Sequence, residues 1–230
     1  MKSLAVAIVS GGMDSTTLAY MLRESHRDLH IVSFDYGQRH RKELLFAERT
    51  ASKLGAQFTK VEMGFMAGLL KGSALTDDIP VPEGHYTAEN MAVTVVPNRN
   101  AIMLAIAYGI AGAEEASVVG FAAHAGDHAI YPDCRPEFAS VFEAMEVCAF
   151  GGRGPELTTP FIALTKAGIA RIGWEYNVPF EDTWSCYVGG EKHCGRCGTC
   201  VERKEAFMLA EVIDPTGYED PSFMFEAYRG

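Results

Sequence analysis

The stretch VSGGMDSTT, residues 9–17, decides the fold because it joins a buried strand to a helix. It follows an apolar run at residues 4–9 and leads into residues 14–23, where apolar side chains have helical spacing. Its two glycines permit positive φ and let the backbone approach a ligand closely. The N–H groups at the helix start, together with the helix dipole, favour an anion such as phosphate. The stretch therefore predicts a phosphate site at the carboxyl edge of a parallel sheet.

The glycine turn matches neither of the two commonest phosphate motifs. No Gly-Lys-Ser/Thr follows it, and it lacks the G-x-G-x-x-G spacing of a dinucleotide fold. A plain capped helix, with Asp14 or Ser15 as the capping residue, is the structural alternative. On the turn alone, both interpretations remain open.

Strands and helices alternate along the first part of the chain. The predicted strands cover residues 4–9, 30–34, 57–63 and 116–121, and the predicted helices cover residues 14–23, 41–54 and 100–111. This order favours a parallel α/β sheet with right-handed crossovers. Residues 72–97 interrupt the alternation with three prolines, and they are either an active-site lid or a surface excursion.

Composition and charge exclude several classes of protein. The 230 residues are 48% hydrophobic, which is ample for one compact domain. A net charge of −10 argues against a dedicated nucleic-acid binder, although residues 39–42 form a local basic cluster. No apolar run is long enough to span a bilayer, and no signal peptide is evident. We therefore expect a cytoplasmic protein with no membrane partner.

Four of the six cysteines crowd into one short segment with the spacing C-x7-C-x2-C-x2-C. Four thiolates complete a tetrahedral zinc site with no open position, so Cys186, Cys194, Cys197 and Cys200 predict one structural Zn²⁺ per chain. An iron–sulfur cluster is the competing interpretation, weakened because the fourth cysteine lies upstream and no Cys-Pro follows. Cys148 is predicted to be a free buried thiol.

Two levels of family resemblance follow from these motifs. SGGMDS after a first strand resembles the PP-loop of ATP pyrophosphatases. That motif, together with FDYGQRH (34–40), VPNRN (96–100), HAGDHAIYPDCRPEF (124–138) and TWSCYVGGEKHCGRCGTCVER (183–203), resembles the 7-cyano-7-deazaguanine synthases over essentially the whole chain. The resemblance implies a parallel-sheet PP-loop domain, Rossmann-like and similar to adenine nucleotide alpha hydrolases, at residues 1–180. Residues 181–230 would then form a small, partly helical zinc-binding region.

The resemblance also implies a reaction and a set of site residues. ATP would adenylate the carboxylate of 7-carboxy-7-deazaguanine, ammonia would give the amide, and a second ATP would allow the nitrile to form, with Mg²⁺ bridging phosphates. The expected ATP contacts are Val9, Ser10, Gly11, Gly12, Met13, Asp14, Ser15, Thr16, Thr17, Leu18, Ala19 and Arg39. The expected catalytic residues are Asp14, Ser15, Arg99 and Lys166, and the expected substrate contacts are Asp127, Tyr131, Asp133 and Arg135.

Each of the less certain assignments has a structural alternative. Lys166 is equally well explained as a solvated helix start, and Arg99 as a capping residue or an interface ion pair. The YPDCR segment containing Asp133 is equally a rigid turn built on its flanking prolines. Cys134 invites a covalent role, but activation by ATP makes a thiol nucleophile unnecessary.

The resemblance implies small-molecule partners and a homodimer, with no nucleic-acid partner. One alternative is an enzyme that stops at the amide or transfers the acyl group to another amine. A tRNA-modifying PP-loop enzyme would share the first motif but needs a basic RNA-binding face, which the net charge of −10 does not indicate. A zinc-ribbon binding module with a degenerate nucleotide fold is disfavoured by the intact SGGMDS.

Overall fold

A computed structural model of the chain describes residues 4–26, 28–39, 41–85 and 87–223. Five parallel strands form one sheet in the order β3-β2-β1-β4-β5. The strands are β1 (Leu4–Ile8), β2 (Asp28–Asp35), β3 (Gln57–Glu62), β4 (Val118–Gly120) and β5 (Glu156–Thr158). The predicted parallel α/β sheet is confirmed, and β5 is the strand that sequence patterning missed.

Eight helices accompany the sheet within the described residues. They are α1 (Met13–Ser25), α2 (Lys42–Leu54), α3 (Phe65–Leu69), α4 (Ala88–Met91), α5 (Arg99–Ala113), α6 (Pro136–Ala149), α7 (Lys166–Glu175) and α8 (Gly198–Ala210). The predicted segments that became β1–β4, α1, α2 and α5 have ends within two residues of those observed. The sequence analysis gave no bounds for α6, α7 or α8, although it considered a helix start at Lys166 and expected helical structure within residues 181–230.

The two faces of the sheet bury separate parts of the core, as the alternation of side chains along β1 requires. Ala5 and Ala7 face a cluster that includes apolar residues of α1, α2 and α7. Val6 faces a second cluster, built largely from α5 with contributions from α6. All three side chains are completely buried, which explains the uninterrupted apolar run of this central strand.

The strand order creates a crevice beside the end of β1. The chain continues from β1 to β2 and β3 on one side, whereas β4 and β5 lie on the other. In open parallel sheets, such a reversal separates the loops beyond the carboxyl ends and forms the usual ligand site. The glycine turn after β1 and the segment after β4 therefore flank one crevice.

The proline-containing segment at residues 72–97 packs against the cysteine-rich region. The Gly84 N–H donates to the Arg196 carbonyl at 2.9 Å, and the Gly198 N–H donates to the Pro82 carbonyl at 3.3 Å. Inside the segment, the Ala74 N–H donates to the Val93 carbonyl at 2.7 Å. The role of this segment as an active-site lid stays a prediction.

Ala92–Ala113 is the one stretch of the described chain that is long and apolar enough to cross a membrane. A 3₁₀ turn occupies its first three residues, and Val95 is extended before α5 begins at Arg99. Leu104, Ala107 and Tyr108 of α5 are completely buried in the core cluster on one face of the sheet. These are the features of a core helix.

We predict that Gly11→Ala lowers the free energy of unfolding by about 3 kcal/mol. Gly11 has φ +91°, and a Cβ there would lie 2.2 Å from the Glu43 carbonyl oxygen, so strain and a backbone clash combine. Urea denaturation measures the effect. Gly55→Ala is the matched control, since Gly55 also has positive φ but nothing within 4 Å of the added Cβ. Equal losses in the two variants would contradict the proposed clash.

Candidate active site and metal centre

The start of α1 presents its backbone N–H groups without a side-chain cap. Gly12 occupies the N-cap position in an extended conformation, and no capping side chain accepts from the N–H groups of the first turn. The structural alternative, in which Asp14 or Ser15 caps the helix, is therefore wrong. Ser15 Oγ instead accepts from the Ser10 N–H at 3.1 Å and donates to the Gly12 carbonyl at 3.3 Å, so the serines stabilise the turn. The uncapped end leaves the helix dipole available to an anion.

An open cavity of about 240 Å³ lies over this turn. Of the residues expected to bind ATP, five line the cavity: Val9, Ser10, Gly12, Asp14 and Ser15. The other six residues of the turn and helix do not line it and are buried beneath it: Gly11, Met13, Thr16, Thr17, Leu18 and Ala19. Direct ATP contact by those six stays a prediction, and their burial favours a supporting role.

Lys166 carries a cation into the cavity. It is the first residue of α7, next to the capping Thr165, whose Oγ1 accepts from the Gly168 N–H at 3.3 Å. Its Nζ lies 2.5 Å from Glu202 Oε2 and 3.4 Å from Asp14 Oδ2. Burial lowers the pKa of Lys166, but the two carboxylates outweigh it and raise the pKa above its ordinary value. The side chain is thus a partly buried, fully charged ammonium and not a solvated helix start.

His124, which follows β4, lies close to the Asp14 carboxylate that Lys166 also contacts. Its Nδ1 accepts a hydrogen bond from the Gly126 N–H at 3.1 Å, which assigns the ring proton to Nε2 when the imidazole is neutral. Nε2 lies 3.3 Å from Asp127 Oδ2 and 3.8 Å from Asp14 Oδ2. His124 therefore orients Asp127, a predicted substrate contact that does line the cavity.

Arg99 and Tyr131 line the opposite part of the cavity wall. Arg99 Nη1 donates to the Tyr36 hydroxyl at 3.2 Å, and its guanidinium lies 5.6 Å from the centre of that ring. The Tyr131 hydroxyl lies 2.7 Å from Thr94 Oγ1, so a hydrogen bond fixes the end of this side chain. Asn98, not Arg99, occupies the N-cap position of α5.

Three of the predicted contacts do not line the cavity: Arg39, Asp133 and Arg135. Asp133 Oδ2 accepts from the Asn100 N–H at 3.1 Å, which satisfies a backbone donor at the start of α5. Arg135 Nε donates to the His128 carbonyl at 2.7 Å. Arg39 Nη1 donates to the Ile79 carbonyl at 2.8 Å. Their ligand roles stay predictions, and these bonds favour the turn-building alternative for Asp133 and Arg135.

Sequence reasoning missed several polar cavity residues, above all Glu43, Gln38 and Tyr187. Glu43 could have been recognised as a candidate from the sequence alone. It lies four and eight positions before the buried Ala47 and Ala51 of α2, so it occupies the apolar face of an amphipathic helix. A carboxylate on such a face indicates a functional position. Glu202 had no such signal, because its partner Lys166 is 36 positions away.

The Glu43 carboxyl is perturbed by its surroundings. Burial raises its pKa from an ordinary value near 4.5 to about 7, while the positive charge of Arg99 and a hydrogen bond from Gln38 oppose the rise. Gln38 Nε2 donates to Glu43 Oε1 at 3.2 Å. The charged form of this side chain is therefore costly in the absence of a ligand.

The Cys134 thiol also lines the cavity, but its chemistry disfavours nucleophilic attack. Burial and the negative charges of Asp127 and Asp133 raise the pKa of the thiol. Asn100 Nδ2 lies 3.3 Å from the sulfur and donates to it. A neutral, buried thiol is a poor nucleophile, so the structure disfavours a covalent role for Cys134.

The four clustered cysteines form a candidate metal centre. Their sulfur atoms all lie within 4.8 Å of one another. Cys194 Sγ and Cys200 Sγ are 3.9 Å apart, which excludes a disulfide between them. Backbone N–H groups of Arg196 and Cys197 point at Cys194 Sγ at 3.4 and 3.3 Å. Such donors stabilise thiolates, so the cluster is suited to hold a metal ion.

The metal centre is continuous with the cavity. Cys186 and Thr199 line it, and α8 begins at the cluster with Cys197 as its N-cap. The same helix carries Glu202, the partner of Lys166. Cys148 is unpaired but exposed, so the expectation that it is buried is wrong; it lies near the end of α6, away from the core-facing side.

We predict that Glu43→Gln raises the free energy of unfolding at pH 8 by about 2 kcal/mol. A carboxyl whose pKa is raised on folding contributes full stability below its unfolded pKa, and this contribution is lost as pH rises through about 7. The gain should therefore disappear by about pH 4.5. Denaturant titrations at both pH values measure it. A destabilised variant at pH 8 would contradict the electrostatic assignment.

Comparison with known proteins identifies the family. The family described as "Queuosine biosynthesis protein QueC" matches residues 4–211. A 7-cyano-7-deazaguanine synthase from Ruegeria pomeroyi is 55% identical over 231 residues, covering 100% of this chain and 100% of the relative. Relatives of the same name from Allorhizobium ampelinum and Brucella ovis are 54% and 53% identical; they cover 100% and 97% of this chain, and 97% and 96% of their own lengths are matched. The chain therefore belongs to the queuosine biosynthesis protein QueC family.

Proposed function

We propose that this chain is a 7-cyano-7-deazaguanine synthase, which converts 7-carboxy-7-deazaguanine and ammonia to the nitrile at the expense of two ATP. The relatives of that name, which match this chain over nearly its whole length, support this choice of substrate. The observation that carries the proposal is the uncapped start of α1, which faces a cavity that also contains Lys166 and Arg99. This arrangement suits a nucleotide phosphate meeting a second anion.

The chemistry proceeds in two activations. A carboxylate oxygen of the substrate attacks the α-phosphorus of ATP, pyrophosphate leaves, and an acyl adenylate forms. Ammonia then adds to the carbonyl carbon, a proton is lost and AMP leaves, giving the amide. In the second round the amide oxygen attacks the α-phosphorus of another ATP, and pyrophosphate leaves again. Loss of AMP and of the remaining amide protons leaves the carbon–nitrogen triple bond.

The residues of this chain act by positioning and charge stabilisation. The N–H groups at the start of α1 and the hydroxyls of Ser10 and Ser15 would bind the pyrophosphate oxygens. Lys166 would neutralise charge that develops on the leaving pyrophosphate, while Glu202 holds its ammonium in place. Arg99 would offset repulsion between the substrate carboxylate and the α-phosphate.

The donor set of the metal centre fits Zn²⁺. Tetrahedral zinc with four thiolates separates the sulfur atoms by about 3.8 Å, given a Zn–S distance of about 2.3 Å. The 3.9 Å between Cys194 Sγ and Cys200 Sγ agrees with that geometry. Four sulfur ligands leave no position for water, so the proposed ion is structural, with one per chain.

Asp14 fits a role beside Mg²⁺. Its Oδ1 is buried and has no hydrogen-bond partner among the described residues. Buried carboxylate oxygens are rarely left unpaired, and Mg²⁺ prefers such ligands together with phosphate oxygens. Mg²⁺ would supply neutralisation of the phosphate charge, with Asp14 as the protein contact.

The cellular setting and the partners belong to the same proposal. Four reduced thiolates around a metal are typical of a reducing compartment, which supports a cytoplasmic location. The proposed ligands are 7-carboxy-7-deazaguanine, ATP and ammonia. The homodimer and the absence of a nucleic-acid partner stay predictions of the resemblance.

The decisive experiment is mass spectrometry of a reaction containing 7-carboxy-7-deazaguanine, ATP, Mg²⁺ and ammonium. The proposal expects the nitrile and about two AMP per product, one for each activation. Amide alone with about one AMP would favour the enzyme that stops halfway. If AMP forms without either product, or if ATP is not consumed, the deazaguanine assignment is wrong.

We expect Lys166→Met to lower kcat/KM for ATP by about 10²-fold, because it removes the cation nearest Asp14 in the cavity. Lys166→Arg should recover part of the loss by restoring the charge. Steady-state kinetics provide the measurement, with Lys60→Met as the control because Lys60 pairs with Glu62 on the solvent side of the sheet edge. Unchanged kinetics in Lys166→Met would remove this residue from the mechanism.

We expect Cys197→Ser to lose the metal and to lower the thermal midpoint, since the three remaining thiolates leave the tetrahedral site incomplete. Elemental analysis should find about one zinc per chain in the unmodified protein and little in the variant. Cys148→Ser is the matched control, because that cysteine is exposed and outside the cluster. Iron with inorganic sulfide in the unmodified protein would establish the iron–sulfur alternative instead.

A further inference from the structure

One carboxylate in the cavity has no role in the mechanism above. Glu43 lies at the start of α2, on the β2 side of the cavity, whereas His124 and Asp127 follow β4. The charged groups near Glu43 are therefore not those near His124 and Asp127. Arg99 and the Tyr36 hydroxyl face Glu43, and Lys166 is paired elsewhere with Asp14 and Glu202.

Gln38 holds the Glu43 carboxyl in a fixed orientation. The Gln38 amide oxygen accepts from the Tyr36 N–H at 2.9 Å, and its Nε2 donates to the Phe34 carbonyl at 3.1 Å and to Glu43 Oε1 at 3.2 Å. A flipped amide would break the first two of these bonds. One carboxylate oxygen is thus anchored, while Glu43 Oε2 has no hydrogen-bond donor among the described residues. The result is a rigid acceptor pair at the cavity wall.

The surroundings of Glu43 suit a flat heteroaromatic ring. Phe34, Tyr36, Leu75 and Met103 line the same cavity as Glu43. Apolar and aromatic walls with one fixed polar group are the usual composition of a site for a planar ligand. The raised pKa of Glu43 shows that its charge lacks solvation in the free protein, so a ligand that donates hydrogen bonds would stabilise the charged form.

The donor pattern of the ring decides between the two bases that this enzyme would bind. An ionised carboxylate offers only acceptors. The N1–H and the 2-amino group of a guanine-like ring are adjacent donors and match it. Adenine presents a donor beside an acceptor, which suits an amide side chain and would place its N1 against the carboxylate. The acceptor pair of Glu43 therefore favours 7-deazaguanine over the adenine of ATP.

We propose that Glu43 binds the N1–H and 2-amino edge of the deazaguanine substrate and sets the preference for a 2-amino ring. This inference rests on the proposed function. It adds Glu43 to the expected substrate contacts, among which Asp133 accepts a backbone hydrogen bond at the start of α5.

The test compares 7-carboxy-7-deazaguanine with its analogue lacking the 2-amino group, using the unmodified protein and Glu43→Gln. The unmodified protein should prefer the 2-amino substrate by about 10²-fold or more in kcat/KM. Glu43→Gln should lose about 10²-fold on that substrate, because its amide donor opposes the 2-amino group. The analogue keeps its N1–H, from which the glutamine oxygen can accept a hydrogen bond. The kcat/KM of Glu43→Gln for the analogue should therefore change about fivefold or less. The KM for ATP should stay unchanged.

The matched control is Glu48→Gln, which alters an exposed carboxylate on the same helix. This variant should leave kcat/KM for both substrates unchanged. A raised KM for ATP with an unchanged substrate preference would assign Glu43 to adenine and overturn the inference. Equal losses on both substrates in a stably folded variant would overturn it as well.

A failure of the proposed function is distinguishable from a failure of this inference. If the unmodified protein converts neither compound, calorimetric titration of each compound into the unmodified protein and Glu43→Gln decides the question. Binding of the 2-amino compound that Glu43→Gln weakens selectively supports Glu43 as the ring contact, whatever the reaction is. Equal binding of both compounds to both proteins overturns it.

Discussion

The close approach of the β1–α1 turn to the start of α2 is the contact on which the site depends. Only a residue without a Cβ lets the Gly11 backbone approach so near the Glu43 carbonyl. The Gly11 carbonyl also accepts from the Trp184 N–H at 2.8 Å, just before the first cysteine of the metal centre. One glycine thus brings together the β1–α1 turn, the start of α2 with Glu43, and the cysteine-rich segment. Each of these elements contributes atoms to the cavity wall.

An acidic protein can bind anions when its few cations are partly buried and held in place. Lys166 and Arg99 are positioned by hydrogen bonds to Glu202 and Tyr36, so neither needs to be ordered when a ligand arrives. The surrounding carboxylates keep Lys166 charged in spite of burial. The net charge of −10 describes the solvent-facing surface and says little about this cavity.

Features encoded by neighbouring residues were predictable from the sequence, and features that depend on tertiary contacts were not. The glycine turn and the cysteine motif each consist of neighbouring residues. The turn joins β1 to α1, and the four cysteines cluster, as the sequence predicted. The short apolar runs predicted β1–β4, because a continuous apolar run between helical segments is typical of a strand in a buried parallel sheet. Asp133 is a predicted substrate contact, and its hydrogen bond from the Asn100 N–H at the start of α5 was not predictable from the sequence. Glu202 acquires its contact with Lys166 only from an element 36 positions away, whereas the position of Glu43 on the apolar face of α2 is a local feature.

The helix that begins at the metal centre has a consequence for how this family can diverge. Cys197 and Cys200 fix the first turn of α8, and Glu202 follows two residues later with its carboxylate against Lys166. An insertion or deletion between the last cysteine and this glutamate would rotate the carboxylate away by about 100° per residue. The distance between the last cysteine and Glu202 therefore sets the direction of this carboxylate from the helix axis. Loops elsewhere can change length independently, whereas this short segment must be kept in register.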